Sequence, residues 1–287
     1  LEFRRVLCRS GVFVPDAAPR VTSLEHSALE LAPLHGLGEQ AEFRRAVIEQ
    51  TLASWQEPLN GFAAFVSRGG PLKPLPAGTY AIDPVMLGDI RGGRVQTEHP
   101  SLTGALIAHA LAAPHKRPSF IVDPVSVDEM LPVARLSGLK DLPRRSLWHA
   151  LNSRHAARVA CERKGLDYSK ARVVVAHLGS GVSITALSGG RALDTNNAND
   201  QGPFAPTRAG GLPATGLVDL CFQEGASRAS IRKRLTRAGG LIDHCGTSDF
   251  RAVRERALGG DGHSKLVMDA MGYQIAKEIG AMATVMG

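Results

Sequence analysis

Residues 173–183 read VVVAHLGSGVS, and the interpretation of the whole chain turns on this stretch. Three β-branched valines in a row predict a short buried strand, because branched side chains suit an extended backbone packed on its faces. His177 and Leu178 follow, then Gly179-Ser180-Gly181, and the apolar alternation resumes at Val182, Ile184 and Ala186. A strand that breaks at two glycines and restarts is a tight turn, where backbone can approach a ligand closely. Successive N–H groups in such a turn can form an anion-binding concavity. A dinucleotide-binding fingerprint would need a third glycine where Ile184 stands, and a helix after it. A hairpin is predicted instead: Val182–Leu187, a turn at Ser188-Gly189-Gly190, then Arg191–Thr195. The Rossmann reading therefore fails.

The chain has 287 residues, 44% of them apolar, enough for one large or two medium globular domains. No apolar run reaches membrane-spanning length, and the start shows no charged-then-apolar signal pattern. Cys8, Cys161, Cys221 and Cys245 are scattered without metal-ligand spacing, which favours a reducing, cytoplasmic setting over a disulfide framework or a zinc site. The net charge of +7, carried mostly by arginine, suits anionic small ligands and by itself would equally suit nucleic acid. With 5% aromatic residues and no RNA-binding signature, nucleic acid is the weaker reading and no nucleic-acid partner is expected.

Two strands around a glycine turn, with a histidine at the bend, suit a nucleotide phosphate site of the actin-like phosphotransferase type. HLGSGVS (177–183), followed by GGRALDTNNANDQGPFAPTRAGGLP (189–213), resembles the acetate/butyrate kinase family of the actin-like ATPase superfamily, on its butyrate kinase side. The segments SRGGPLKPLPAGTY (67–80), SFIVDPVSVDEM (119–130), SLWHALNSRHAARVA (146–160), GTSDFRAV (246–253) and MGYQIAKEIGAMA (271–283) match the same family in the same order. The resemblance runs from about Gly11 to Gly287. It implies an α/β fold of two actin-like (ribonuclease H-like) domains with mixed sheets and flanking helices, residues 1–127 and 128–287. Candidate residues fall in both halves, so the site is expected in a cleft between the two domains.

Leu1–Ser10 (LEFRRVLCRS) matches nothing in the family and reads as foreign sequence or as a divergent edge strand, with Gly11–Val14 as the next strand. The family has a first strand and phosphate loop ahead of this point. It also has a further strand, glycine loop and helix after Gly287. By that comparison the chain is expected to be a fragment that catalyses poorly.

Residues 40–57 predict an amphipathic helix, with Phe43, Val47, Ile48, Leu52 and Trp55 on one face. Phe62–Val66 predicts a strand ending in Ser67-Arg68-Gly69-Gly70, and loops after strands are where α/β folds place ligands. Arg68 is a candidate clamp for a carboxylate or phosphate, since its planar fork matches either anion bidentately. The plain alternative is a surface arginine at a turn. His99 precedes a predicted helix, Leu102–Ala112. By resemblance it contacts substrate near the transferred phosphoryl group; by position alone it is a helix-start residue with a local role.

Ser119–Val122 predicts a strand delivering Asp123, which the resemblance makes the carboxylate that holds Mg2+ or positions substrate. Asp128 and Glu129 read as the polar start of the next helix. His149 matches the family histidine that contacts the phosphoryl group and opens a predicted helix, Ser153–Lys164; His155 reads as a solvated bystander. Arg208 matches the family's second essential arginine, and Leu212-Pro213 follows as in butyrate kinases, where acetate kinases have an acidic pair.

Ala226–Ala238 predicts a basic helix with a solvated face, closed by Gly239-Gly240. By resemblance His177, Gly179, Ser180 and Gly181 hold nucleotide phosphate, Asp249 bonds the adenosine, and Phe250 and Arg251 wall its ring. Lys265–Met286 predicts a long helix whose stripe of Val267, Met271, Ile275, Ile279 and Met286 is core. The resemblance thus implies transfer of the ATP γ-phosphoryl to butyrate or a similar short or branched fatty acid, reversibly. It further implies Mg2+ and ATP/ADP as cofactors, a homo-oligomer, and a cytoplasmic location. Competing readings are an acetate or propionate kinase, a non-catalytic actin-like ATP-binding protein, and a basic nucleic-acid-binding protein.

Overall fold

A computed structural model describes residues 6–287. It divides into two compact units: the chain up to Lys73 with Gly78–Pro124, and Pro74–Ala77 with Val125–Gly287.

In the first unit, β1 (Val6–Val12) and β2 (Arg20–His26) form an antiparallel hairpin. Gly11 and Val12 are thus the end of the strand that Val6 begins, and Gly11–Val14 is not a separate strand. Residues 1–5 of the stretch read as foreign lie outside the described residues. Pairing uses backbone N–H and C=O groups that any residue but proline supplies, so basic composition is no bar to it.

β3 (Phe65–Ser67), β4 (Thr79–Ala81) and β5 (Ser119–Val122) make a mixed sheet in the order β3-β5-β4, with β5 parallel to β3 and antiparallel to β4. β3 starts later than expected. Phe65 donates to the Pro118 carbonyl, and Pro118 has no N–H to carry the ladder further back. Helix Thr103–Ala112 buries Ala105, Leu106, Ile107, Ala108, Leu111 and Ala112 against β3, β5 and helix Gly36–Ser54. Leu102, the expected first residue of this helix, instead ends a 3-10 turn, Pro100–Leu102. Helix Gly36–Ser54 begins four residues before the expected start, with the Glu39 carboxylate accepting from His35 N–H. Its buried residues are Ala41, Arg44 and Leu52, so a guanidinium sits in the face that the apolar pattern assigns to hydrophobics.

In the second unit, β6 (Arg172–Leu178), β7 (Val182–Ser188) and β8 (Arg191–Thr195) form the antiparallel meander foreseen in the sequence. Gly189 and Gly190 both have positive φ, the geometry that a two-residue hairpin needs to match strand twist. β7 is buried along Val182–Leu187 because both faces are covered. Val182, Ile184 and Ala186 pack with Ala205 and Met282, the latter on helix Gly262–Val285. Leu187 packs on the opposite side with Val127, Trp148, Ala150 and Ala157, the last two on helix Ala150–Arg163.

Glu129 does not begin a helix; the next one is the short Pro132–Arg135. The Glu129 carboxylate instead accepts from Ala77 N–H and Ala192 N–H at 3.2 Å each, and Asp128 pairs with Arg135. The basic helix spans Arg228–Thr236 with exposed Arg228, Arg232, Lys233 and Arg234. Gly240, at φ +63°, does not close it but opens Leu241–Cys245. No helix among the described residues is long and apolar enough to cross a membrane.

Candidate active site

The second unit gathers its candidates around the β6–β7 turn. His177 on β6 lies in register with Ser183 on β7, so both side chains project on one face of the sheet. Helix Ala150–Arg163 delivers His149 to that face. Trp148 N–H donates to Val125 O, and the Trp148 indole and the Ser146 hydroxyl both donate to Val127 O, anchoring the approach. Ser183 Oγ then lies 2.9 Å from His149 Nδ1 and accepts from its backbone N–H at 3.3 Å. The His149 and His177 rings stack with centroids 3.8 Å apart and planes 11° from parallel. Asn152, one turn along the helix, places Nδ2 2.8 Å from His177 Nδ1. Neither Ser183 nor Asn152 carried a signal in the sequence, since both residue types are common in strands and on helix surfaces.

Arg208 approaches the same turn from the Ala205–Arg208 bend. Thr207 fastens that bend to the turn, its N–H and hydroxyl both donating to Ser180 O. The Arg208 guanidinium lies over Gly181: a Cβ there would overlap Nη1 and sit 2.5 Å from Cζ. Nη1 donates to Ala198 O at 2.5 Å, while the buried Nε has no partner among the described residues. Burial works against the charged guanidinium and lowers its pKa from the ordinary arginine value. A buried cationic donor left unmatched calls for an anion.

Asn196 holds the loop that carries Ala198. Its Oδ1 accepts from Ile184 N–H at 2.6 Å, and its Nδ2 donates to Val182 O at 3.0 Å and Gln201 O at 3.2 Å. The burial of Asn196 was not legible in the sequence, because asparagine in a loop is usually exposed.

Beside the turn is an open cavity of about 370 Å3, lined by Leu178, Gly179, Ser180, Val182, Pro206, Ser248, Phe250, Met271 and Ile275. The wall is mostly apolar, with backbone of the glycine turn at one edge, a combination suited to a flat heterocycle joined to phosphates. Phe250 is thus brought to the turn. Asp249 and Arg251 are not among the lining residues. Asp249 caps helix Phe250–Leu258, accepting from Arg251 N–H at 2.9 Å, and this backbone bond above all holds its carboxyl below the usual range. Met271 and Ile275 belong to the apolar stripe read as core; they pack there and also form the cavity wall.

In the first unit, Arg68 is exposed at the end of β3. The glycines after it fit closely: a Cβ on Gly69 would lie 3.1 Å from Pro124, and one on Gly70 2.8 Å from Leu102 N. The segments carrying Arg68, Asp123 and His99 therefore meet at this turn. Asp123 is buried, with φ +37°, and is tied to Gly78 in both directions: Oδ1 accepts from Gly78 N–H at 2.8 Å and Asp123 N–H donates to Gly78 O at 2.9 Å. Such a conformation is costly for a non-glycine residue, and strain of this kind clusters at functional sites. His99 does hold a local role, its Nδ1 accepting from Ser101 N–H at 3.1 Å, which leaves the ring proton on Nε2.

Comparison with known proteins matches residues 140–287 to the Acetokinase family. The chain is 42% identical to the probable butyrate kinase 2 of Caldanaerobacter subterraneus subsp. tengcongensis over 92% of its own length and 75% of that protein's. It is 40% identical to butyrate kinase 1 of Clostridium acetobutylicum over 96% of its own length and 78% of that protein's. Among solved structures, Porphyromonas gingivalis acetate kinase superimposes with a TM-score of 0.72 at 22% identity, covering 96% of this chain and 70% of that one. A propionate kinase from Francisella tularensis superimposes with a TM-score of 0.68 at 20% identity, over 93% and 68%. The α/β fold is the actin-like fold of these kinases. From the family match and the identity to both curated relatives, the chain belongs to the acetokinase family.

Proposed function

We propose that the protein transfers the γ-phosphoryl group of ATP reversibly to butyrate or a similar short-chain carboxylate, giving an acyl phosphate and ADP. The observation that carries this reading is the buried, unmatched Nε of Arg208 beside a glycine turn and a stacked histidine pair. A carboxylate acceptor is already ionised at neutral pH, so its attack needs no general base. The site must instead compensate the charge of two anions brought together and align them. Arg208 supplies a fixed fork for the phosphoryl oxygens, with His149 and His177 as donors to the same group. Gly179, Ser180 and Gly181 offer backbone to the nucleotide phosphates, and Phe250 packs on the base.

Arg68 and His99 bind the acceptor carboxylate. Asp123 would hold Mg2+, which when bound neutralises phosphate charge. A single strained, buried carboxylate fits an ion that takes one or two protein ligands and keeps its waters. The scattered free cysteines suit a cytoplasmic setting. Leu212-Pro213 and the 40–42% identity to butyrate kinases favour a four-carbon acceptor over acetate. The test is ATP-dependent acyl hydroxamate formation by the full-length protein with acetate, propionate, butyrate and isobutyrate in parallel. Butyrate or isobutyrate should give the highest kcat/KM; an order led by acetate would replace the acceptor assignment.

A further inference from the structure

We propose that Asn152 is a positioning residue that holds His177 in the tautomer with its proton on Nε2, aimed at the glycine turn. The inference rests on the reading of His177 as a donor to the transferred group and names what makes it one. An amide nitrogen only donates, so Asn152 Nδ2 at 2.8 Å from His177 Nδ1 requires that Nδ1 accept. The single ring proton of the neutral imidazole is then on Nε2. That edge of the ring faces the turn: a Cβ on Gly179 would lie 3.1 Å from Nε2 and 3.7 Å from Cδ2. The stacked His149 ring, 3.8 Å away and nearly parallel, fixes the plane in which Nε2 points.

The arrangement suits an anion at the turn, because the other tautomer would present a lone pair to it. An aspartate at 152 would do the reverse, since a carboxylate only accepts and would draw the proton to Nδ1. Both histidines are governed from one helix start, His149 just before helix Ala150–Arg163 and Asn152 in its first turn. Asn152 is exposed, so changing it perturbs no packed core.

The test is long-range proton–nitrogen NMR of full-length protein labelled in histidine, with His177 assigned from the signal lost in His177→Gln. The wild type should show His177 protonated on Nε2. Asn152→Asp should move the proton to Nδ1. It should also lower kcat on the order of 10²-fold, as for loss of one transition-state donor, while KM for butyrate changes by less than about threefold. A wild-type His177 protonated on Nδ1, or an Asn152→Asp variant that keeps the wild-type tautomer, overturns the proposal. A shifted tautomer with unchanged kcat supports the proton assignment and counts instead against His177 as a donor in the reaction.

Discussion

Gly181→Ala isolates the placement of Arg208 from its presence. Gly181 does not have positive φ, so alanine fits its backbone without strain and the whole effect is steric. A Cβ at this position would sit 2.5 Å from Arg208 Cζ and 3.0 Å from Nε, where ordinary contact begins near 3.4 Å. The guanidinium must therefore move by at least about 1 Å, and its bond to Ala198 O at 2.5 Å is the first to break. That bond involves a charged donor and is worth about 1.5–3 kcal/mol, which bounds the loss of stability. Catalysis is far less tolerant, since a misplacement of about 1 Å can cost on the order of 10²-fold in rate. Acyl hydroxamate formation and urea unfolding of the same preparation separate the two. The expected result is a fall in kcat of about 10²-fold, with unfolding free energy lowered by no more than about 3 kcal/mol. Turnover within about threefold of wild type would show that the position of this guanidinium does not matter to the reaction.

Asn196→Leu strands Ile184 N–H and the carbonyls of Val182 and Gln201 inside the protein, and should lower stability by about 3–5 kcal/mol, read by urea unfolding. A change below about 1 kcal/mol would mean that the loop is held by other means. His26 in the first unit is 3% exposed, and burial, followed by the charge of Arg44, lowers its pKa below the ordinary 6.5. Above about 6.5 it is neutral folded and unfolded; as pH falls below that value the unfolded chain takes up the proton first, so melting temperature should drop. His26→Gln should flatten that drop, and an unchanged pH dependence would place the titrating group elsewhere.

What was legible in the sequence is what backbone chemistry imposes locally. The Gly-Ser-Gly and Gly-Gly turns announced the β6–β7–β8 meander, and the strand Ser119–Val122 was bounded correctly by its apolar run and the Asp-Pro that ends it. Helix starts drifted by a few residues, because Gly36 and Ala150 begin their helices without a side-chain cap to mark them. The buried polar residues were not legible at all. Glu129 looked like the acidic first turn of a helix, yet it satisfies two backbone N–H groups, one of them far along the chain at Ala192. Asn152 and Ser183 became visible only once folding set them against the two imidazoles. Asp249 is read by resemblance as an adenosine contact, and that its carboxylate also caps a helix end became visible only in the fold.

In the proposed function, this chain builds a phosphoryl-transfer site for a carboxylate around Arg208. The most direct measurement is hydroxamate-trapped acyl phosphate formed from ATP and butyrate by full-length wild type and by Arg208→Lys. Lysine keeps the charge and loses the fork, so wild type should give robust product and the variant should fall on the order of 10²–10³-fold. Wild-type protein that binds ATP yet yields no hydroxamate from butyrate, isobutyrate, propionate or acetate would contradict it, as would an Arg208→Lys variant with wild-type turnover.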